Sequence, residues 1–233
     1  GTEIWSYMNK LPEVTKNLLA INILMFLASL VMEKQGIDLT NILGLHFFKA
    51  ADFAIYQFVT YMFMHGGFAH LFFNMFALYM FGGVLERVWG AKRFLIFYLV
   101  AGVGAGVFQE IVQYISFLQE GLDGFASVNI PSVGIMPMGK FLNLWTTVGA
   151  SGAIYAILLG FGMMFPNQYI YLYFFVPIKA KWFVLGYGLI ELASGVLSTG
   201  DGIAHFAHLG GLIFGYILIM YWKKKRTLYG RDY

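Results

Sequence analysis

Six side chains in this sequence carry types and spacings that could do chemistry. Ser151 sits between glycines in Gly149-Ala150-Ser151-Gly152. His205 and His208 stand three residues apart, His65 and His70 five apart, and Asn74 follows His70 by four. A serine hydroxyl becomes a nucleophile when a base takes its proton. Histidine is the side chain best matched to that task near neutral pH. Attack on a carbonyl builds an oxyanion that needs donors aimed at it. His70 and Asn74, one helical turn apart, can present two donors on one face. The set fits acyl transfer.

Competing chemistries fail on the same residues. There is no cysteine, so thiol catalysis and thiolate metal sites are excluded. No histidine is followed by glutamate, so the His-Glu-x-x-His zinc motif is missing. The four histidines lack a carboxylate beyond Asp201, and no metal or other cofactor is expected. An aspartyl mechanism needs two carboxylates at one depth. Glu86 and Glu110 lie near the ends of apolar runs, and Glu191, deeper, reads as a structural hydrogen-bonding group.

What must position these residues follows from composition. Of 233 residues, 59% are hydrophobic and only 12% charged. A soluble domain carries roughly 25% charged residues. The apolar excess belongs in a lipid bilayer. A net charge of +3, spread in short clusters, gives no nucleic-acid face. Six apolar runs approach the length of about 20 residues that spans a bilayer. They cover about 17–32, 71–85, 94–115, 147–165, 182–197 and 203–222. The expected fold is therefore all-α, a polytopic membrane bundle forming one domain over 1–233.

Lys and Arg orient it. With the N-terminus in the cytoplasm, twelve cations fall inside, among them Lys10, Lys16, Arg87, Lys92, Arg93 and Lys223–Arg226, and only Lys34, Lys49 and Lys140 fall outside. Both termini are then cytoplasmic. Spans two, four and six start on the outside, which brings His65, His70, Asn74, Ser151, His205 and His208 to one shallow depth. Singly, an intramembrane serine is a cap, an asparagine is interhelical glue and a histidine is packing or a proton relay. Their common depth argues for a site.

Two loops stand out. Residues 35–68 are long and apolar and are expected to lie in the outer interface. Residues 116–146 are polar, with Gly and Pro. The aromatic stretch Tyr169–Val176 reads as a loop or a frayed helix end.

These features resemble the rhomboid family of intramembrane serine proteases. The family's Gly-x-Ser-Gly motif is matched by Gly149-Ala150-Ser151-Gly152. Its Ala-His motif followed by glycines is matched by Ala207-His208-Leu209-Gly210-Gly211, with Gly215 beyond. His-x-x-x-Asn is His70 to Asn74, and Gly-Gly-x-x-Glu is Gly82 to Glu86. Tyr155 matches the aromatic residue that packs on the catalytic imidazole. The resemblance covers roughly residues 17–222, and the six-helix bacterial form is the nearest match. It implies a Ser151–His208 dyad without a carboxylate. It implies an oxyanion hole of His70, Asn74 and the Ser151 amide. Tyr155, His65, His205, Gly149 and Gly152 become supporting residues. The implied substrates are transmembrane segments of other proteins, cut near the outer face of a bacterial plasma membrane. Span five and the turn at Ser198–Gly202 are the usual lateral gate. Tyr56-Gln57 stands where the family often has Trp-Arg, so an ion pair from that arginine is not expected. Two other classes compete: a non-catalytic relative that binds membrane clients, and a small transporter. The presence of both Ser151 and His208 speaks against the first, and the lack of paired repeats against the second.

Overall fold

The computed structural model describes residues 11–131, 133–172, 176–197 and 202–225, without the side chains of 172, 191–197 and 202–204. The Ser198–Asp201 turn, the Glu191 side chain and the terminal cations Lys10, Arg226 and Arg231 lie outside the described residues.

Six main helices occupy the six expected spans: α1 (Glu13–Glu33), α2 (Phe68–Trp89), α3 (Ala91–Gln119), α4 (Ser151–Met164), α5 (Ala180–Leu197) and α6 (Gly202–Lys224). By length and hydropathy α1, α2, α3 and the His205–Lys224 part of α6 can each cross a membrane. The chain is an all-α integral membrane protein carrying a few short strands. The helices outrun most of the apolar runs because their ends are set by backbone geometry, not by hydropathy. Only Gly90, at φ +82°, separates α2 from α3. Glycine tolerates that left-handed conformation. Lys92 and Arg93 therefore sit in the first turn of α3 instead of outside it. Inside α2, residues Leu78–Gly82 widen into a π turn.

Helix α4 starts later than its apolar run. Thr146–Thr147 (β4) is still extended and pairs with Leu45–His46 (β1), so helix begins only at Ser151. With 14 residues, α4 is about 21 Å long, short of a hydrocarbon core of about 30 Å.

Glycines let the central helices touch. A Cβ on Gly215 would lie 2.8 Å from Ala156 Cβ, and one on Gly211 would run into the Gly152 carbonyl. Gly210 packs equally tightly on Ala105 and Phe108 of α3. Small residues bring helix backbones together where lipid offers no hydrophobic drive. The core beside this contact holds Leu85, Trp89, Phe94, Phe97, Tyr98 and Ile157, all nearly inaccessible. Glu86 ties α1 to α2: its carboxylate accepts from Val14 N (2.9 Å), Thr15 N (2.7 Å) and Thr15 Oγ1 (2.7 Å). The two amides among them are orphans of the first turn of α1.

The loops carry structure of their own. Residues 35–68 pack onto the bundle, burying Leu45 and Phe47 fully while leaving Ile55 and Tyr56 exposed. Gln57 is buried there. Its Oε1 accepts from the amides of His46 and Ala54, and its Nε2 donates to the carbonyls of Ile42 and Asp52. The 116–146 segment forms a hairpin, β2 (Ser127–Ile130) with β3 (Gly134–Pro137), and a short helix, Met138–Leu142. Its small core joins Phe47, Phe117, Met138 and Leu142. Tyr169–Leu172 (β5) is a strand paired with Val176–Lys179 (β6), which corrects the reading as loop or frayed helix. Aromatic and β-branched residues favour such a ladder.

Candidate active site

Helix α4 presents Ser151 at its first turn, where amides lack intrahelical partners and the helix dipole is positive. Helix α6 presents His208 opposite. The Ser151 hydroxyl lies 2.8 Å from His208 Nε2, in reach to donate its proton. Tyr155, one turn below Ser151, stacks on the His208 imidazole at 4.3 Å between centroids and 11° between planes. His205 meets the same ring edge-on at 6.2 Å. The Tyr187 ring of α5 lies 5.9 Å from that of Tyr155, tilted by 53°.

Helix α2 brings the second pair. Gly149 has φ +123°, and a Cβ there would sit 2.8 Å from His70 Nε2 and 3.6 Å from Ser151 Oγ. The His70 ring thus lies against the backbone leading into Ser151. Asn74 is buried and its Nδ2 donates to the His70 carbonyl at 2.8 Å. That bond uses one of its two amide hydrogens. His65 is buried and meets His70 edge-on at 5.0 Å. Neither of its ring nitrogens has a hydrogen bond among the described residues. Burial, with the His70 charge beside it, pushes the His65 imidazole down to about 4. Gly152 sits where α4 meets α6, and its Cβ direction is blocked by Ala105 of α3.

Ser151, His208, Tyr155, His205, Gly149, Gly152, His65, His70 and Asn74 therefore gather at one end of α2, α4 and α6, whereas Glu86 lies at the other end of α2. The chain matches the family model of the Rhomboid domain over residues 52–225. The chain belongs to the rhomboid family. It is 28% identical over 202 residues to RHOMBOID-like protein 12, mitochondrial, of Arabidopsis thaliana, covering 85% of this chain and 55% of that protein. It is 28% identical over 159 residues to rhomboid protease AarA of Providencia stuartii, covering 67% of this chain and 52% of the relative. It is also 28% identical over 226 residues to rhomboid protease GluP of Bacillus subtilis (strain 168), covering 92% and 36%. The chain spans about half the length, or less, of these relatives.

Other rhomboid positioning residues had no signature in the sequence. Tyr61 is buried. Its carbonyl accepts from Gly149 N at 2.9 Å and its hydroxyl donates to the Gly102 carbonyl at 2.6 Å, tying the serine loop to α3. His46 is fully buried. Its Nδ1 lies 2.8 Å from Thr146 Oγ1 and 3.2 Å from the Asn143 carbonyl, and its Nε2 lies 2.7 Å from the Asn41 carbonyl. These bonds fasten the first outer loop to the strand that precedes Ser151. An aromatic residue in an apolar loop and a histidine outside any motif give no sequence signal. Only their long-range partners reveal them.

Proposed function

We propose that this rhomboid is an intramembrane serine endopeptidase. Its substrates are transmembrane segments of other membrane proteins, cut near the outer face of the bilayer. The observation that carries the reading is the Ser151–His208 contact of 2.8 Å beneath the Tyr155 ring. Ser151 Oγ attacks the scissile carbonyl while His208 Nε2 takes its proton. The ring stack and the tight glycine contact hold the imidazole in place of a carboxylate. The oxyanion is received by the Ser151 amide and by donors on His70 and Asn74. His208 then gives the proton to the leaving amine, and water hydrolyses the acyl-enzyme by the reverse roles. A helical substrate has its carbonyls bonded internally, so it must unwind locally before attack.

The Lys and Arg distribution supports a topology with both termini in the cytoplasm and the site facing outward. The names of two relatives, AarA and GluP, as rhomboid proteases agree with the activity.

Covalent labelling by a fluorophosphonate probe in detergent micelles tests the dyad. Wild type is expected to label, and Ser151→Ala and His208→Ala to stay folded and unlabelled. Cleavage of a transmembrane substrate that survives Ser151→Ala would overturn the proposal.

A further inference from the structure

The hairpin between α3 and the serine loop exposes large apolar side chains at the Ser151 end of the bundle. Phe125, Val133 and Ile135 are 63%, 64% and 80% exposed. The other face of the hairpin is occupied. Val128 packs on the cluster of Phe117, Met138 and Leu142, with Phe117 in the last turn of α3. Ile135 pairs with Asn129, so by strand alternation it points away from the side of Val128. Residues 124–139 hold no charged side chain. Among the described residues β2 and β3 pair only with each other, which leaves both outer edges open. Edges that face water are commonly guarded by charge, and a lone two-stranded hairpin is marginal in water.

The depth of this hairpin follows from α3. With 29 residues the helix is about 43 Å long, against a hydrocarbon core of about 30 Å. Counted from Arg93 in its first turn, about 20 residues of hydrocarbon end near Tyr114. A second observation marks the same level. Lys49 Nζ lies 5.7, 5.9 and 5.4 Å from the ring centroids of Phe48, Tyr114 and Phe117. Aromatic rings beneath a lysine that reaches for water are typical of the membrane interface. The hairpin is fixed to Phe117 and so stands at head-group level.

We infer that the β2–β3 hairpin lies in the bilayer interface, with Phe125, Val133 and Ile135 inserted among the ester groups and upper acyl chains of phospholipids. Its backbone stays at head-group level, because open strand edges need partners that hydrocarbon lacks. Continuity with a membrane span selects lipid as the occupant: the exposed stripe Val107, Ile111, Ile115 and Leu118 of α3 rises to the turn that carries the hairpin. The lack of charge makes the docking indifferent to the head group. Helix Met138–Leu142 and strand β4 lead from the hairpin to Ser151, so the lipid holds the serine loop from its side. This placement is independent of the chemistry at Ser151.

The chain has no cysteine, so a single one can carry a label. Phe125→Cys and Ile135→Cys are labelled with a bimane fluorophore, and the whole chain is placed in phosphatidylcholine nanodiscs at one copy per disc. Both side chains are exposed, so the packing of the hairpin is left alone. Val133→Cys repeats the test at a third exposed position, should either of the first two fail to fold. Leu24→Cys, exposed midway along α1, is the reference in hydrocarbon, and Lys34→Cys, in the turn after α1, is the reference in water. Labels on the hairpin are expected to emit at shorter wavelength than the one at Lys34→Cys and to lose most of its quenching by iodide. A lipid nitroxide near the ester should quench them more than one at the chain end, with the opposite order for Leu24→Cys. Replacing phosphatidylcholine with phosphatidylglycerol should change neither result. Hairpin labels as open to iodide as the one at Lys34→Cys, and indifferent to both nitroxides, would overturn the inference. So would protection that depends on anionic lipid. A shift seen with two copies per disc and absent with one would assign the face to a second copy of this chain and overturn the lipid reading.

Discussion

Gly149 and His70 are fitted to each other: the position of a Gly149 Cβ lies 2.7 Å from His70 Cε1 and 2.8 Å from Nε2. The φ of +123° at Gly149 independently disfavours any side chain. Gly149→Ala must therefore displace either the His70 ring or the Ser151 loop. A displaced oxyanion donor typically costs about 10²–10³ in rate. We expect Gly149→Ala to label with a fluorophosphonate at least about a hundredfold more slowly than wild type. A wild-type labelling rate would show that the His70–loop contact has no part in the chemistry.

Tyr155 acts on His208 through its ring face. Tyr155→Phe keeps the face and Tyr155→Ala removes it. Such a pair is worth about 0.5–1.5 kcal/mol, so labelling is expected to fall up to about tenfold in Tyr155→Ala and to change little in Tyr155→Phe. Equal losses in the two variants would point to the hydroxyl instead of the stack.

Gly211→Ala would drive a methyl group into the Gly152 carbonyl. Overpacking of this kind typically costs about 1–3 kcal/mol. The expected outcome is a lower unfolding temperature together with slower labelling, because the same helix contact aligns His208 with Ser151. Unchanged stability would mean that α4 and α6 separate at no cost.

Glu86 is expected to act on stability and not on the chemistry. Its carboxylate takes three hydrogen bonds from the start of α1, well away from the dyad. Glu86→Ala leaves those donors unpaired in a buried setting, at a cost of about 2–3 kcal/mol. Unfolding followed by circular dichroism should register that loss. The labelling rate of the folded fraction should stay at the wild-type value.

His65 makes the fold sensitive to acid. Its folded-state value of about 4 lies below the ordinary 6.5, so between these pH values the unfolded chain binds more protons than the folded one. Stability then rises with pH across that window and falls as pH drops from 6.5 toward 4. His65→Asn is expected to flatten this part of the stability–pH curve. An identical slope in the variant would assign the acid sensitivity to other groups.

The sequence by itself determined the membrane class and the family, placed six apolar runs where helices form, and named Ser151 and His208 as the proposed dyad. Those are legible because lipid demands long uncharged runs, and because a serine and several histidines at one depth are too costly to be incidental. Gly149, Gly152 and Gly211 were legible as motif letters, but the reason for each is steric and appears only when helices meet. Tertiary structure alone decided that α4 begins at Ser151, four residues into its apolar run, since the strand pairing of Thr146–Thr147 with Leu45–His46 spans a hundred residues. It alone decided that Tyr61, Gln57 and His46 hold the outer loops, and that Tyr169–Leu172 pairs as a strand with Val176–Lys179. Hydropathy reports how a residue meets its solvent. The partners of a buried hydrogen bond are set by the path of the whole chain, and no local pattern encodes them.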